Sequence, residues 1–195
     1  LLEAHFKQID KYNPKINAVI WQDREAAKEL AWQIDKETSV GKFRGPLHGV
    51  PVTVKESFNL SGAPTTWGDP CNIDNIATTD SDAVARFRSA GAIVFGKTNV
   101  PLNLVEWQTF NKIYGTTSNP WDQTRTPGGS SGGSAAALAT GTVAGGAARG
   151  AGRGASPQPG PGRDPDACLD RRACGWKQSH MDPSGRTGGA HPRVS

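Results

Sequence analysis

Apolar positions along the first 143 residues switch between helical and strand spacing. Leu2, Phe6 and Ile9 recur at helical spacing, and Asn13 with Pro14 predicts the stop of that helix. Asn17 to Trp21 reads as a short strand. Asp23 is placed to cap a second helix, with Ala27, Leu30, Ala31 and Ile34 on one face and charges on the other. The run PVTVKESF, Pro51 to Phe58, is β-rich and puts Lys55 at or near a strand end. Asp80 or Ser81 can cap a further helix carrying Val84, Phe87 and Arg88 up to a Gly91 stop, after which Ala92 to Phe95 forms a buried strand. This βα order argues for an α/β domain.

The stretch Thr126 to Gly141, TPGGSSGGSAAALATG, brings in chemistry. Gly128, Gly129, Gly132 and Gly133 allow backbone approaches that a side chain would block, and Ala135 to Ala139 is a strong helix former. A flexible Gly/Ser linker is the plain alternative. A linker does not run straight into a helix, however, and this one follows an ordered-looking turn, Asn119 to Asp122, with Trp121 as an aromatic anchor. Serines on such a loop can reach a substrate. Lys55 is open to a plain reading too, as a solvated strand-edge residue.

The runs GPLHGVPVTVKESF (Gly45 to Phe58), GAPTTWG (Gly62 to Gly68), AGAIVFGKTNVP (Ala90 to Pro101) and YGTTSNPWDQTRTPGGSSGGSAAALATG (Tyr114 to Gly141) together resemble the amidase signature family of serine hydrolases. The resemblance runs nearly continuously to about residue 143 and covers roughly the first third of the family's domain. It implies an α/β fold with a mixed sheet flanked by helices, incomplete in this chain. It also implies hydrolysis of carboxamide C–N bonds by a serine nucleophile, a serine after a cis peptide bond, and a lysine, with no cofactor and no metal. Lys55 matches the lysine, and Ser130, following Gly129, matches the cis serine; Ser131 has either a supporting role or none. A serine hydroxyl needs a base to attack an amide, and a lysine serves only when burial or nearby positive charge depresses its pKa. The implied proton route runs from the nucleophile through Ser130 to Lys55 and on to the leaving amine.

The family's nucleophile lies about two dozen residues past the cis serine, in a segment resembling GSDIGGS. Here that count lands near Gly154 in ARGAGRGASPQPG, where no such motif stands, so the nucleophile is unknown. Ser156 is nearest, but it precedes Pro157 and lacks the preceding glycine pair. Composition changes at the same place. From Ala144 to Ser195 there is no Ile, Phe or Tyr, and Leu169, Trp176, Met181 and Val194 are the large apolar side chains. The expectation is an amidase portion over 1–143 and a low-complexity Gly/Pro/Arg/Ala tail over 144–195, disordered because it cannot offset its ordering entropy. Translation out of frame after about residue 144 is one origin for such a mixture. A polyanion-binding tail is disfavoured by its acidic residues, and Cys168, Cys174, His180 and His191 fit no common zinc spacing.

Charge sharpens the division. Residues 1–143 hold 14 Lys/Arg against 14 Asp/Glu, so the net +4 comes from the tail and does not argue for nucleic acid as a partner of the folded part. Cys71, Cys168 and Cys174 suggest no disulfide framework, and without an apolar span or signal peptide the expected setting is cytoplasmic, with no membrane partner. A start at Leu1 suggests a missing N-terminus; oligomeric state is open. His48 is read as structural rather than as a base. Trp67, Trp107 and Trp121 suit core or turn packing better than an acyl pocket. Thr98 and Asn99 bind substrate or cap the next segment, and Lys97 in GKT resembles a phosphate loop only superficially. The expected function is a carboxamide hydrolase, inactive as this chain. The alternatives are the A subunit of a glutamyl-tRNA(Gln) amidotransferase and a non-catalytic binding fragment.

Overall fold

The computed structural model describes residues 1–143 and the backbone of the short strand 146–147. The expectations placed on the tail beyond it, including Ser156, Cys168, Cys174, His180 and His191, lie outside the described residues.

Helix α1 spans Leu2–Ile16 and buries Leu2, Phe6 and Ile9 as their spacing predicts. It does not stop at Asn13 and Pro14 but carries Pro14 inside its last turn. Pro14 removes the N–H that would donate to Asp10 O, and the Asn13 side chain closes the helix end by accepting from Ala18 N and Val19 N, both at 2.8 Å, and donating to Val19 O. The stop falls at Asn17, which is left-handed at φ 52° and donates its N–H to Asn13 O. Strand β1 (Val19–Gln22) follows, then α2 (Arg24–Ser39), whose N-cap Asp23 accepts from Ala26 N at 3.0 Å. Ala27 and Ile34 of α2 are buried.

Strand β2, Pro51–Lys55, is buried at every position. Helix α3, Asp82–Ser89, starts after Ser81, which makes no side-chain cap bond. Asp80 does not cap it either, because its carboxylate accepts from Ser61 N and pairs with Arg88. Strand β3 is Ile93–Thr98, β4 (Phe110–Asn111) and β5 (Gly115–Thr116) form a small antiparallel pair, α4 is Gly132–Ala139 and β6 is Gly146–Ala147.

The main sheet is mixed, in the order β1-β3-β2-β6: β1 runs antiparallel to β3, while β2 is parallel to both β3 and β6. On one face Ile93 and Phe95 pack with Phe6 and Ile9 of α1, Ala27 and Ile34 of α2, and Ala136 and Ala137 of α4. On the other, Val54 and Val94 pack with Leu60, Ala63 and Val84 of α3. Helices thus cover both faces, as expected where parallel strands are buried.

Candidate functional site

Strand β2 ends on Lys55, and the neighbouring strand presents a second lysine, Lys97; both are fully buried. Side chains alternate along a strand, so their faces are set by register. Val52 pairs with Val94, but Thr53 pairs with Gly96, so Phe95 is an extra residue in β3. This bulge reverses the alternation. Before it, odd-numbered β3 residues face α1 and α2; after it, Lys97 shares the opposite face with its partner Val54, and Thr98 joins Lys55 on the α4 side. Gly96 fits because a Cβ there would lie 2.9 Å from Trp21 O on β1.

On the α4 side, Lys55 Nζ donates to Ser130 Oγ at 2.7 Å, and Thr98 Oγ1 and Ser134 Oγ lie 2.6 Å apart. Burial pulls the Lys55 ammonium below the ordinary lysine range. Ser130 follows a cis peptide bond from Gly129. The glycine-rich run is fixed and not a linker. A Cβ on Gly129 would overlap the Glu106 carbonyl oxygen, and one on Gly133 would lie 2.5 Å from both Asn99 N and Asn99 O. Thr109 Oγ1 donates to Gly128 O at 2.9 Å, and Thr126 Oγ1 donates to Trp107 O at 3.1 Å. Ser131 is the N-cap residue of α4 and its carbonyl accepts from Ala135 N.

On the opposite face, Lys97 Nζ donates to Pro64 O and, at 2.8 Å, to Thr65 Oγ1. Burial lowers its pKa to about 8, against the opposing pull of the Glu56 carboxylate. Glu56, fully buried, accepts from Thr66 N, from Thr66 Oγ1 at 2.8 Å and from Trp67 N at 2.9 Å. Tyr114 Oη reaches the same carboxylate at 3.5 Å; its pKa is pushed up to about 12, by burial first and by the Glu56 charge second. The sequence reading missed Glu56 as a site residue and Lys97 as a buried cation. The one available signal was their position inside strand-like apolar runs.

His48, Thr98, Asn99 and Trp67 are engaged with other parts of the chain. His48 Nδ1 accepts from Arg44 N at 3.0 Å and its Nε2 lies 2.9 Å from Thr38 Oγ1, so both ring nitrogens are engaged away from Lys55. Asn99 is buried and spans Gly115 O, Thr117 Oγ1 and Asn111 Nδ2, while Thr98 sits under Ser134. Trp67 takes φ +57° in the turn gripped by Glu56, whereas Trp107 and Trp121 are 80% and 83% exposed and not core. Among the described residues no group of three or more His, Cys, Asp or Glu could hold a metal ion, and no helix is long and apolar enough to cross a membrane.

The chain as a whole is similar to known proteins. The chain is similar to an acylamidase of Rhodococcus erythropolis, 41% identical over 131 residues, which cover 67% of this chain and 28% of that protein. It is 39% identical over 128 residues to the A subunit of the glutamyl-tRNA(Gln) amidotransferase of Streptomyces coelicolor, covering 66% of this chain and 26% of that one. The crystal structure of an amidase superposes with a TM-score of 0.67 at 38% identity, over 72% of this chain and 32% of that chain. The chain therefore spans between a quarter and a third of the length of the relatives it matches. The Amidase family model matches residues 1–152, and the chain belongs to that family.

Proposed function

We propose that this chain carries the base and the proton relay of a carboxamide hydrolase, with Lys55 as base and Ser130 as relay. The observation that carries the reading is the 2.7 Å contact between a buried lysine amine and the hydroxyl of Ser130. A lysine moved below its ordinary pKa by burial is more often neutral at a given pH, and a neutral amine can take the Ser130 proton along the same line. Ser130 in turn takes the proton of an attacking hydroxyl, and Lys55 returns a proton to the departing amine when the C–N bond breaks. The attacking serine is not assigned on this chain. Without it the expected turnover by the chain alone is little or none.

A second reading is favoured by the 39% identity to an amidotransferase A subunit: the same lysine and serine would release ammonia from an amide for transfer. A third is binding of a carboxamide without turnover. One experiment separates the three. The chain is assayed on an amide panel as it stands, and again with a GSDIGGS-type segment joined after residue 143, each with Lys55→Ala and Ser130→Ala variants. Hydrolysis by the extended chain that both substitutions abolish supports the first reading. Activity that requires tRNA and a partner protein supports the second. Binding with no turnover in either form supports the third, and hydrolysis that survives Lys55→Ala rules Lys55 out as the base.

A further inference from the structure

Glu56 follows Lys55 directly, and its backbone N–H continues the sheet by donating to Thr98 O at 3.0 Å. The chain then turns, with Phe58 N donating to Lys55 O. A buried carboxylate needs donors for its lone pairs, and Glu56 finds them in the Thr66–Trp67 turn. That turn leads back to the serine loop. Thr66 Oγ1 accepts from Gly68 N, and a Cβ on Gly68 would lie 2.9 Å from Asn111 Cβ, so the turn packs on Asn111. Asn111 Nδ2 donates to Asn99 Oδ1 at 2.9 Å and to Val100 O at 2.7 Å. The Asn99 backbone is what Gly133 packs against, three residues beyond Ser130. Glu56 is thus joined to Lys55 through one peptide bond and to the Ser130 loop through a continuous train of close contacts.

We propose that Glu56 is a positioning residue for Lys55 and Ser130: its grip on the Thr66–Trp67 turn sets the end of β2 and, through Asn111 and Asn99, the loop that β2 faces. The inference rests on the reading of Lys55 as a base, but it concerns where the amine is held. Lys97 is the internal control. It shares the Glu56 carboxylate electrostatically, yet it lies on the opposite face and holds its own bonds to Pro64 O and Thr65 Oγ1. A carboxylate that merely balanced Lys97 would leave Lys55 indifferent to its removal.

The test is a titration of the whole chain labelled at the lysine Cε carbons, followed by NMR, with Lys55 and Lys97 assigned through Lys55→Arg and Lys97→Arg. In Glu56→Gln the side-chain shape is kept, but an NH2 group meets the donors of the turn. The expected result is opposite movement. Lys55 titrates higher, toward an ordinary lysine, as its end of β2 loosens and water enters. Lys97 titrates lower as its counter-charge is lost. Exchange of the Thr66 and Trp67 amide protons should speed up by about tenfold or more. A fall in Lys97 with Lys55 unmoved overturns the proposal, leaving Glu56 as a counter-charge alone. A rise in both also overturns it, because that is general loosening. Thr66→Val removes one donor and keeps the charge, so if Glu56→Gln does not fold, Lys55 must still move upward in Thr66→Val with Lys97 fixed, or the proposal fails. Wild-type Lys55 titrating as an ordinary lysine would instead remove the base reading itself, and the inference with it.

Discussion

Strands β2 and β3 carry two buried lysines on opposite faces, and the company each keeps differs. Lys97 has a carbonyl, a hydroxyl and the field of a buried carboxylate about its ammonium. Lys55 donates to a serine hydroxyl, in a contact that is only part-buried, and it is burial that draws its pKa down, with no carboxylate pulling the other way. A buried charge beside a carboxylate and a carbonyl is held in place; at equal burial, one bonded to a hydroxyl, with no carboxylate drawing on it, gives up its proton more readily. Burial alone would not have told them apart.

The contrast is broken most severely at Lys97. Lys97→Met should cost about 3–5 kcal/mol in urea unfolding, because the buried Glu56 charge loses its electrostatic partner; a loss below about 1 kcal/mol would mean the pair is solvated in solution. Next in size is a pH effect. Lys97 sits near 8 when folded against 10.5 for an ordinary lysine, so between those values the unfolded chain binds the extra proton and stability rises with pH, by about 3 kcal/mol in all. Tyr114 acts with the opposite sign. Its folded pKa near 12 lies above the ordinary 10.0, so stability falls as pH climbs from 10 toward 12. Denaturation midpoints from pH 7 to 12 should therefore pass through a maximum near pH 10, and Lys97→Met should flatten the rising limb.

Gly133→Ala comes third. The new methyl meets the Asn99 backbone, which should cost about 2 kcal/mol of stability and lengthen the contact between Lys55 and Ser130. The smallest effect is the most diagnostic. Lys55→Met keeps the volume and removes a poorly compensated charge, so stability should hold or rise by about 1 kcal/mol, whereas a large loss would give Lys55 the same structural standing as Lys97.

Much of this was readable in the residues. Asp23 as a cap, the strand ending on Lys55 and the helix entered through glycines and serines follow from local pattern, because nearby atoms satisfy each one. What escaped depends on distant partners. Pro14 sits inside the last turn of α1 and the stop falls at Asn17, where the Asn13 side chain holds the following segment by accepting from Ala18 N and Val19 N. Phe95 is as apolar as its neighbours, and Gly96 is the one residue in IVFGKT that hints at the extra residue turning Lys97 away from Ser130. Glu56 is not singled out by the residues around it, since the donors that keep it buried lie ten and eleven residues away. The two proposed site residues were legible for the opposite reason: the runs around Lys55 and Ser130 resemble a known family on their own.

The turn that ends α1 has a consequence in time. Asn17 Nδ2 donates to Tyr114 O and Thr116 O, Thr117 Oγ1 donates to Asn17 O, and Ser118 N donates to Ile16 O, closing a loop of about a hundred residues. During synthesis at about 5–20 residues per second, α1 is made roughly 5–20 s before the segment that locks its end. Contacts of such separation also fold late once the chain is free, because loop closure must precede their reward. The apolar face of α1 is thus met early, by α2 and β3, while its C-terminal end waits for a segment made about a hundred residues later.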